Sequence, residues 1–181
     1  MKEMPARRSD ADCVVRTDPG RPPLLRGTAR VVIASTRAFD GAYEDRTGPL
    51  LIDWLRGRGL EADKELVSDG PEVGAAIARA LEAEADVVIT SGGTGISPSD
   101  VTPEQTAPFI ERAMPGVLEA VRRLGADTTP AAVLSRGVAG MAARSFVVNL
   151  PGSRGGVKDG ITVLDPILDH LLEQRDGGGH R

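Results

Sequence analysis

Short apolar runs alternate along the chain with segments of helical periodicity, and this alternation limits the fold more than any other feature. Runs rich in Val and Ile, typical of buried strands, occupy residues 29–36 and 86–91, and a less apolar run at 60–67 predicts a strand nearer a sheet edge. Residues 48–59 and 71–85 lie between these runs and predict helices. This order predicts an α/β fold whose mainly parallel sheet carries helices on both faces.

The second half of the chain continues the same pattern. We expect a helix from near Thr102, a second helix over 115–124, a late strand over 145–150 and a closing helical segment that Pro166 breaks in two. Residues 1–28 have no hydrophobic period and predict a disordered tail, residues 29–175 predict one domain, and residues 176–181 should fray.

Composition excludes several classes of protein. The net charge is -4 and aromatic residues make up 3% of the chain, which argues against a nucleic-acid partner. No apolar stretch approaches the roughly 20 residues of a membrane helix, and no secretion signal is evident, so we expect a cytoplasmic enzyme. The single cysteine, Cys13, allows no intramolecular disulfide and is interpreted as an incidental thiol.

Polar loops follow the predicted strands. Asp40, Glu44 and Asp45 follow the first strand, Asp69 the second, Asp100 the third, and "PGSRGG" the late strand. Ligands of open parallel α/β sheets bind beyond the carboxyl ends of the strands. We therefore expect these loops to converge on one rim of the sheet.

The loop "GGTGISPSD" has two interpretations. Gly92, Gly93 and Gly95 could form only a tight turn, or they could let backbone N–H groups approach an anion. Neither "GxxxxGK[ST]" nor "GxGxxG" is present. "PGSRGG", with Arg154, is a second anion-binding candidate, although a plain turn explains it equally well.

The acidic residues also have structural interpretations. Asp69 could cap the helix that follows it, and Thr102 with Gln105 fits a capping box. The capping box leaves Asp100 without a structural role. His170 and His180 lie away from the rim loops, so a histidine base is not expected. Carboxylates beside anion-binding glycines suit Mg²⁺ held between aspartate and phosphate oxygens, as in phosphoryl or nucleotidyl transfer.

The stretch "TSGGTGISPSDVTPEQT" closely resembles the signature of the molybdenum-cofactor biosynthesis family that includes MogA, MoaB and the G domain of gephyrin. "ASTRAFDGAYEDRTGPLL", "ELVSDG", "MPG", "LSR" and "NLPGS" resemble further elements of that family, in the same order. The resemblance covers residues 29–174, nearly everything outside the tails.

The resemblance implies a three-layer α/β/α sandwich, assembled as a trimer or a hexamer. It implies that MgATP adenylylates molybdopterin, releasing pyrophosphate before molybdate insertion, and that the product passes to a molybdate-insertion protein. The family's functional aspartates correspond to Asp69 and Asp100, which would act in catalysis and hold Mg²⁺. The implied substrate-binding residues are Ser91, Gly92, Gly93, Thr94, Gly95, Ser135, Pro151, Gly152 and Ser153.

One departure concerns phosphate binding. The family often has an arginine before its second aspartate, where this chain has Ser99, and Arg136 or Arg154 could supply the missing contact.

The sequence leaves two alternatives to the enzyme. The first is a MoaB-type protein that binds or carries molybdopterin without adenylylating it. The second is a scaffold, for which no partner-recognition segment is evident.

Overall fold

A six-stranded sheet forms the middle of the fold in the computed structural model, which describes residues 26–42 and 44–177. The strands are β1 Gly27–Ala34, β2 Leu60–Val67, β3 Val87–Ser91, β4 Arg112–Ala113, β5 Ala139–Ala142 and β6 Ser145–Leu150. Across the sheet the order is β2-β1-β3-β6-β5-β4. The first three pairings in this order are parallel and the last two are antiparallel, which confirms the predicted mainly parallel sheet.

Seven α-helices connect or follow these strands within the described residues. Pro166 separates the last two helices, as predicted. Two short 3₁₀ turns, Ala107–Phe109 and Pro130–Leu134, follow the fourth and fifth helices. The helices are α1 Thr36–Phe39, α2 Gly48–Gly57, α3 Pro71–Glu82, α4 Thr102–Thr106, α5 Pro115–Ala126, α6 Arg154–Leu164 and α7 Leu168–Arg175.

Helices cover both faces of the sheet. Alternate residues of each strand point to opposite faces. Val31 and Ile33 of β1 pack into a core with α2, α5, α6 and α7. Val32 and Ala34 pack on the other side, against α3. The three-layer α/β/α sandwich is therefore confirmed. Among the described helices, none has the length and hydrophobicity that a membrane crossing requires.

The structure differs from the sequence-based prediction at the start of the first strand and in two additional strands. Strand β1 begins at Gly27, so Gly27 and Thr28 belong to the sheet and not to the tail. Residues 1–25 of that tail, including Cys13, and the terminal residues 178–181, including His180, lie outside the described residues. Strands β4 and β5 were not predicted, because "AGMA" lacks the β-branched residues that mark strands. Gly140 there lies too close to the backbone of β4 for a side chain.

Asn149 fastens α4 to the sheet through a buried polar network. Its Nδ2 donates to Thr90 Oγ1 and to Thr106 Oγ1, both at 2.9 Å, and its Oδ1 accepts from the N–H of Val138 at 3.1 Å. Thr106 Oγ1 in turn donates to the carbonyl of Thr102 at 2.8 Å. Because every member of this network has a partner, it fixes the short helix that follows Asp100.

Candidate active site

A cavity of about 910 Å³ opens at the carboxyl ends of the parallel strands. Residues from the loops after β1, β2, β3 and β6 line it, so the four loops named from sequence converge there. Its volume falls within the range of small-molecule sites. Its polar, charged and glycine lining comprises Ser35, Thr36, Arg37, Asp45, Arg46, Thr47, Asp69, Ser91, Gly92, Gly93, Thr94, Gly95, Ser97, Ser99, Asp100, Gly152, Ser153 and Arg154.

The glycine loop forms the floor of this cavity. Gly92 has a φ of 107° and Gly93 a φ of 61°, and a methyl group on Gly92 would collide with the carbonyl of Ala34. The N–H of Gly92 donates to the carbonyl of Leu150 at 3.1 Å. The N–H groups of Gly93, Thr94 and Gly95 donate to no acceptor among the described residues. The loop is thus a tight turn that also leaves three consecutive donors available.

Asp69 is bound to the loop that follows β1. Its Oδ2 accepts from the N–H of Thr36 at 2.9 Å and from Thr36 Oγ1 at 3.0 Å, and its own N–H donates back to that hydroxyl. Helix α3 is capped by Gly70 without a side-chain bond, so the helix-cap interpretation of Asp69 is wrong. Among the described residues, none donates a hydrogen bond to Asp69 Oδ1. A methyl group on Gly93 would lie 3.1 Å from that oxygen.

Asp100 lies beside the same loop, next to Gly95. Its Oδ2 accepts from the N–H of Ser97 at 3.2 Å, and a methyl group on Gly95 would lie 2.7 Å from this oxygen. Asp100 Oδ1 receives no hydrogen bond from the described residues. The capping box predicted at Thr102 is wrong, because Val101 is the cap residue and the buried Thr102 hydroxyl has no partner within the described chain.

The other predicted site residues fall into two groups. Gly92, Gly93, Thr94, Gly95, Ser91, Gly152 and Ser153 line the cavity, but Ser135 and Pro151 do not. Ser135 Oγ donates to Thr94 Oγ1 at 3.2 Å, and the carbonyl of Pro151 accepts from Ser91 Oγ at 3.2 Å. Ser135 and Pro151 therefore support residues that face the cavity. Ser153 also caps α6 by accepting from the N–H of Gly156 at 3.1 Å.

Asp45 has a structural role in this rim. Its carboxylate accepts from the N–H groups of Thr47 and Gly48 at the start of α2 and from Lys64 Nζ at 2.5 Å. Burial alone would raise the pKa of Asp45, but the bonds from Lys64, Gly48 and Thr47 outweigh it and lower the pKa below its usual value. The carboxylate of Asp45 thus stabilises the loop before α2. Of the three aspartates that line the cavity, Asp69 and Asp100 each keep one oxygen without a hydrogen bond from the described residues.

Sequence reasoning missed several residues of the cavity, among them two arginines and a partner of Asp69. Arg37 and Arg46 line it together with Arg154, which the sequence had singled out, and Thr36 binds Asp69. The signal was present in "STRAFDGAYEDR", but only its acidic residues were considered. Arginines beside aspartates give the cavity charges of both signs, which suits a phosphate ligand that carries a cation.

The donor set fits Mg²⁺. Asp69 and Asp100 are hard carboxylate ligands beside one loop, and each has one oxygen without a hydrogen bond from the described residues. Within the described chain no cluster of three or more His, Cys, Asp or Glu residues could hold a metal by itself. Mg²⁺ in proteins is held by one or two carboxylates together with waters and substrate phosphates. A nucleotide phosphate beside these two aspartates would complete such a site.

Comparisons with known proteins agree with this geometry. The family model described as "Probable molybdopterin binding domain" matches residues 30–170. The chain belongs to this family. It is 37% identical over 154 residues to a molybdenum cofactor biosynthesis bifunctional protein of Synechococcus elongatus, covering 84% of this chain and 48% of that protein. It thus spans about half the length of that relative, and of a similarly named one from Chlorobaculum tepidum.

Two further members of the family match over most of their length. A molybdopterin adenylyltransferase of Helicobacter pylori is 32% identical, with 79% of this chain and 84% of that protein covered. The structure of the molybdopterin biosynthesis Mog protein from Mycobacterium ulcerans is 49% identical, with a TM-score of 0.80 over 82% of this chain and 99% of that chain. The resemblance inferred from the sequence motifs is confirmed.

Proposed function

We propose that this protein acts in molybdenum cofactor biosynthesis and adenylylates molybdopterin with MgATP. The observation that carries the proposal is the pair of carboxylates, Asp69 and Asp100, beside a glycine loop with three available N–H donors. Each carboxylate has one oxygen without a hydrogen bond from the described residues. Relatives named molybdopterin adenylyltransferase support the same assignment.

In the proposed reaction, an oxygen of the molybdopterin phosphate forms a bond to the α-phosphorus of ATP. The bond from that phosphorus to the β-phosphate oxygen breaks, and its electron pair leaves with pyrophosphate. This displacement needs positioning and charge neutralisation, and it needs no side-chain nucleophile. His170 is exposed on α7 and does not line the cavity, so it has no part in the reaction.

Different residues of the cavity bind the phosphates and the cation in this proposal. We assign phosphate binding to the N–H groups of Gly93, Thr94 and Gly95, with the exposed Arg154 at the edge of the cavity as a further cation. Asp69 and Asp100 would hold Mg²⁺, because two bare carboxylates would otherwise repel a polyphosphate. When bound, Mg²⁺ offsets the negative charge of the phosphates.

The test is a turnover assay with molybdopterin and MgATP that follows adenylylated molybdopterin and pyrophosphate. We expect both products, and we expect EDTA and Asp100→Asn to abolish them. Asp53→Asn is the matched control, since Asp53 is exposed on α2 and does not line the cavity. Molybdopterin that stays bound without product would favour the alternative, a carrier protein, and would make Ser99 the first position to examine.

We further propose that the protein is a homo-oligomer, a trimer or a hexamer. Ile96, Val133 and Leu134 are large apolar side chains that are at least half exposed. Their segments lie side by side, because the N–H of Arg136 donates to the carbonyl of Thr94 at 2.8 Å. An apolar surface of this kind is commonly covered by a partner. Light scattering that finds a monomer at micromolar concentration would contradict this proposal.

The proposed reaction also suggests a compartment and a recipient for the product. Because ATP is the proposed second substrate, we place the reaction in the cytoplasm. The adenylylated product would pass to a molybdate-insertion protein. Co-purification of that protein with this chain in the presence of product would test the hand-over.

A further inference from the structure

Arg136 lies between the 3₁₀ turn at Pro130–Leu134 and β5, next to the cavity but outside its lining. Its Nε donates to the carbonyl of Gly95 at 2.7 Å. Its two terminal nitrogens donate to the carbonyl of Asp100 and to the carboxylate of Glu104. The sequence offered Arg136 or Arg154 as the residue that could supply the missing phosphate contact. In the structure, each of the three side-chain nitrogens of Arg136 instead donates a hydrogen bond to an acceptor within the protein.

These contacts join the two ends of one loop. Residues 95–100 run from the glycine loop to Asp100, and Ile96 to Ser99 are exposed. The loop has hydrogen bonds of its own, from the N–H of Asp100 to the carbonyl of Ser97 at 2.9 Å and between the hydroxyls of Ser97 and Ser99 at 3.0 Å. Those bonds lie within the loop, whereas the bonds from Arg136 tie its first and last residues to the body of the protein.

The bond to Glu104 connects the same guanidinium to α4. The hydrogen bond from Arg136 lowers the pKa of Glu104, so Glu104 stays ionised and orients the guanidinium. Helix α4 is itself fixed to the sheet through the bond between Thr106 and Asn149. Arg136 therefore links a rigid helix to the loop that carries Asp100.

An exposed ion pair contributes little to stability, so this arrangement acts through geometry. A guanidinium presents its donors in one rigid plane and can bind several acceptors at fixed angles. A lysine ammonium on a flexible stem could hold only part of this set.

We infer that Arg136 is a positioning residue, which holds both ends of the 95–100 loop so that the carboxylate of Asp100 stays beside the glycine loop. Its effect on turnover rests on the proposed function. Arg136 acts through Asp100 and does not itself contact a substrate phosphate.

The experiment compares Arg136→Gln and Arg136→Lys with Arg79→Gln. Arg79 is the matched control, because it forms an exposed ion pair with Glu65 and does not line the active-site cavity. We expect Arg136→Gln to lower kcat about 100-fold, the effect of a misplacement of about 1 Å, and to raise the half-saturating Mg²⁺ concentration. Arg136→Lys should recover part of this loss, and Arg79→Gln should match the wild type.

A double-mutant cycle separates positioning from direct phosphate contact. Because Asp100→Asn is expected to have no turnover, the cycle is measured on Mg²⁺-dependent binding of ATP. In the Asp100→Asn background, Arg136→Gln should weaken this binding little further, because the group it positions has already lost its charge. If Arg136→Gln costs the same factor in both backgrounds, or raises only the KM for ATP, the residue acts independently of Asp100 and the inference is overturned.

Hydrogen–deuterium exchange provides a readout that does not depend on turnover. In the substrate-free protein, Arg136→Gln should speed exchange of the hydrogen-bonded amides of Ser97, Asp100 and Val101, while the amides of the β-sheet keep their wild-type rates. Unchanged exchange in this loop would overturn the inference. A wild-type protein without turnover would instead refute the proposed function. The role of Arg136 would then be decided by Mg²⁺-dependent binding of ATP, which Arg136→Gln should weaken and Arg79→Gln should not.

Discussion

Asp69→Asn removes one negative charge from the cavity and leaves the shape of the side chain unchanged. The amide oxygen can still accept the two hydrogen bonds from Thr36 that Asp69 Oδ2 accepts now. The amide nitrogen then takes the place of Oδ1, beside Gly93, where it offers hydrogens and no lone pair. The substitution should therefore disable the proposed cation site while the loop keeps its conformation.

The two effects differ in size. Hydrogen bonds to an ionised group contribute about 1.5–3 kcal/mol each and neutral ones about 0.5–1.5 kcal/mol, and Thr36 is exposed, so we expect a stability loss of about 1 kcal/mol. That loss would lower Tm by about 2–4 °C in a domain of this size. Loss of an electrostatic contact to the reacting phosphates should lower turnover by about 100- to 1,000-fold.

Two measurements on the same samples check these values. Emission from the single tryptophan, the buried Trp54, reports thermal unfolding, and pyrophosphate release reports turnover. Asp53→Asn, an exposed change on α2, should alter neither. If Asp69→Asn stays folded and keeps more than a tenth of wild-type turnover, the role assigned to Asp69 is wrong. A drop in Tm far beyond the expected range would show that the aspartate is mainly structural.

Three other substitutions test the framework of the site. Asn149→Ala should lower the free energy of unfolding by about 3 kcal/mol, measured by urea titration, because it leaves buried donors and acceptors unpaired. Gly92→Ala should prevent normal folding, seen by circular dichroism, because its methyl group meets a strand carbonyl, whereas Gly41→Ala, with a similar positive φ but open space, should fold. Because the folded pKa of Asp45 is lowered, its contribution to stability is present above its unfolded pKa of about 3.9 and is lost as pH falls through the folded value. Unfolding measured below about pH 4 should therefore show a shallower acid dependence in Asp45→Asn, and an unchanged slope would contradict the role given to the bond from Lys64.

The sequence predicted the parts of the fold that local patterns determine. The strands β1, β2, β3 and β6 are marked by apolar runs, and Pro166 ends α6 because proline cannot continue a helix. The topology rule then placed Asp69 and Asp100 at one rim, since the carboxyl ends of parallel strands share an edge. Strand β5 carried no such pattern, because its residues are small and have low β propensity. They allow the backbones of β4 and β5 to lie close together.

Side-chain partners could not be predicted in the same way. Asp69 looked like a helix cap because its neighbours in sequence are "GPE", but its partner, Thr36, lies 33 residues earlier in the chain. Thr102 fitted a capping box, yet the fold buries its hydroxyl beside Gly93. Arg136 reaches residues 32 to 41 positions away, so its contacts depend on the assembled sheet. Local sequence rules describe none of these contacts.

The transfer of a labelled phosphate tests the central claim most directly. Purified protein is incubated with molybdopterin, Mg²⁺ and ATP labelled at its α-phosphorus, and the pterin is then isolated. We predict label on the pterin in an amount equal to the pyrophosphate released, with none in the presence of EDTA or for Asp100→Asn. Label that remains in ATP while molybdopterin is bound would contradict adenylylation and would show that the protein binds the pterin without modifying it.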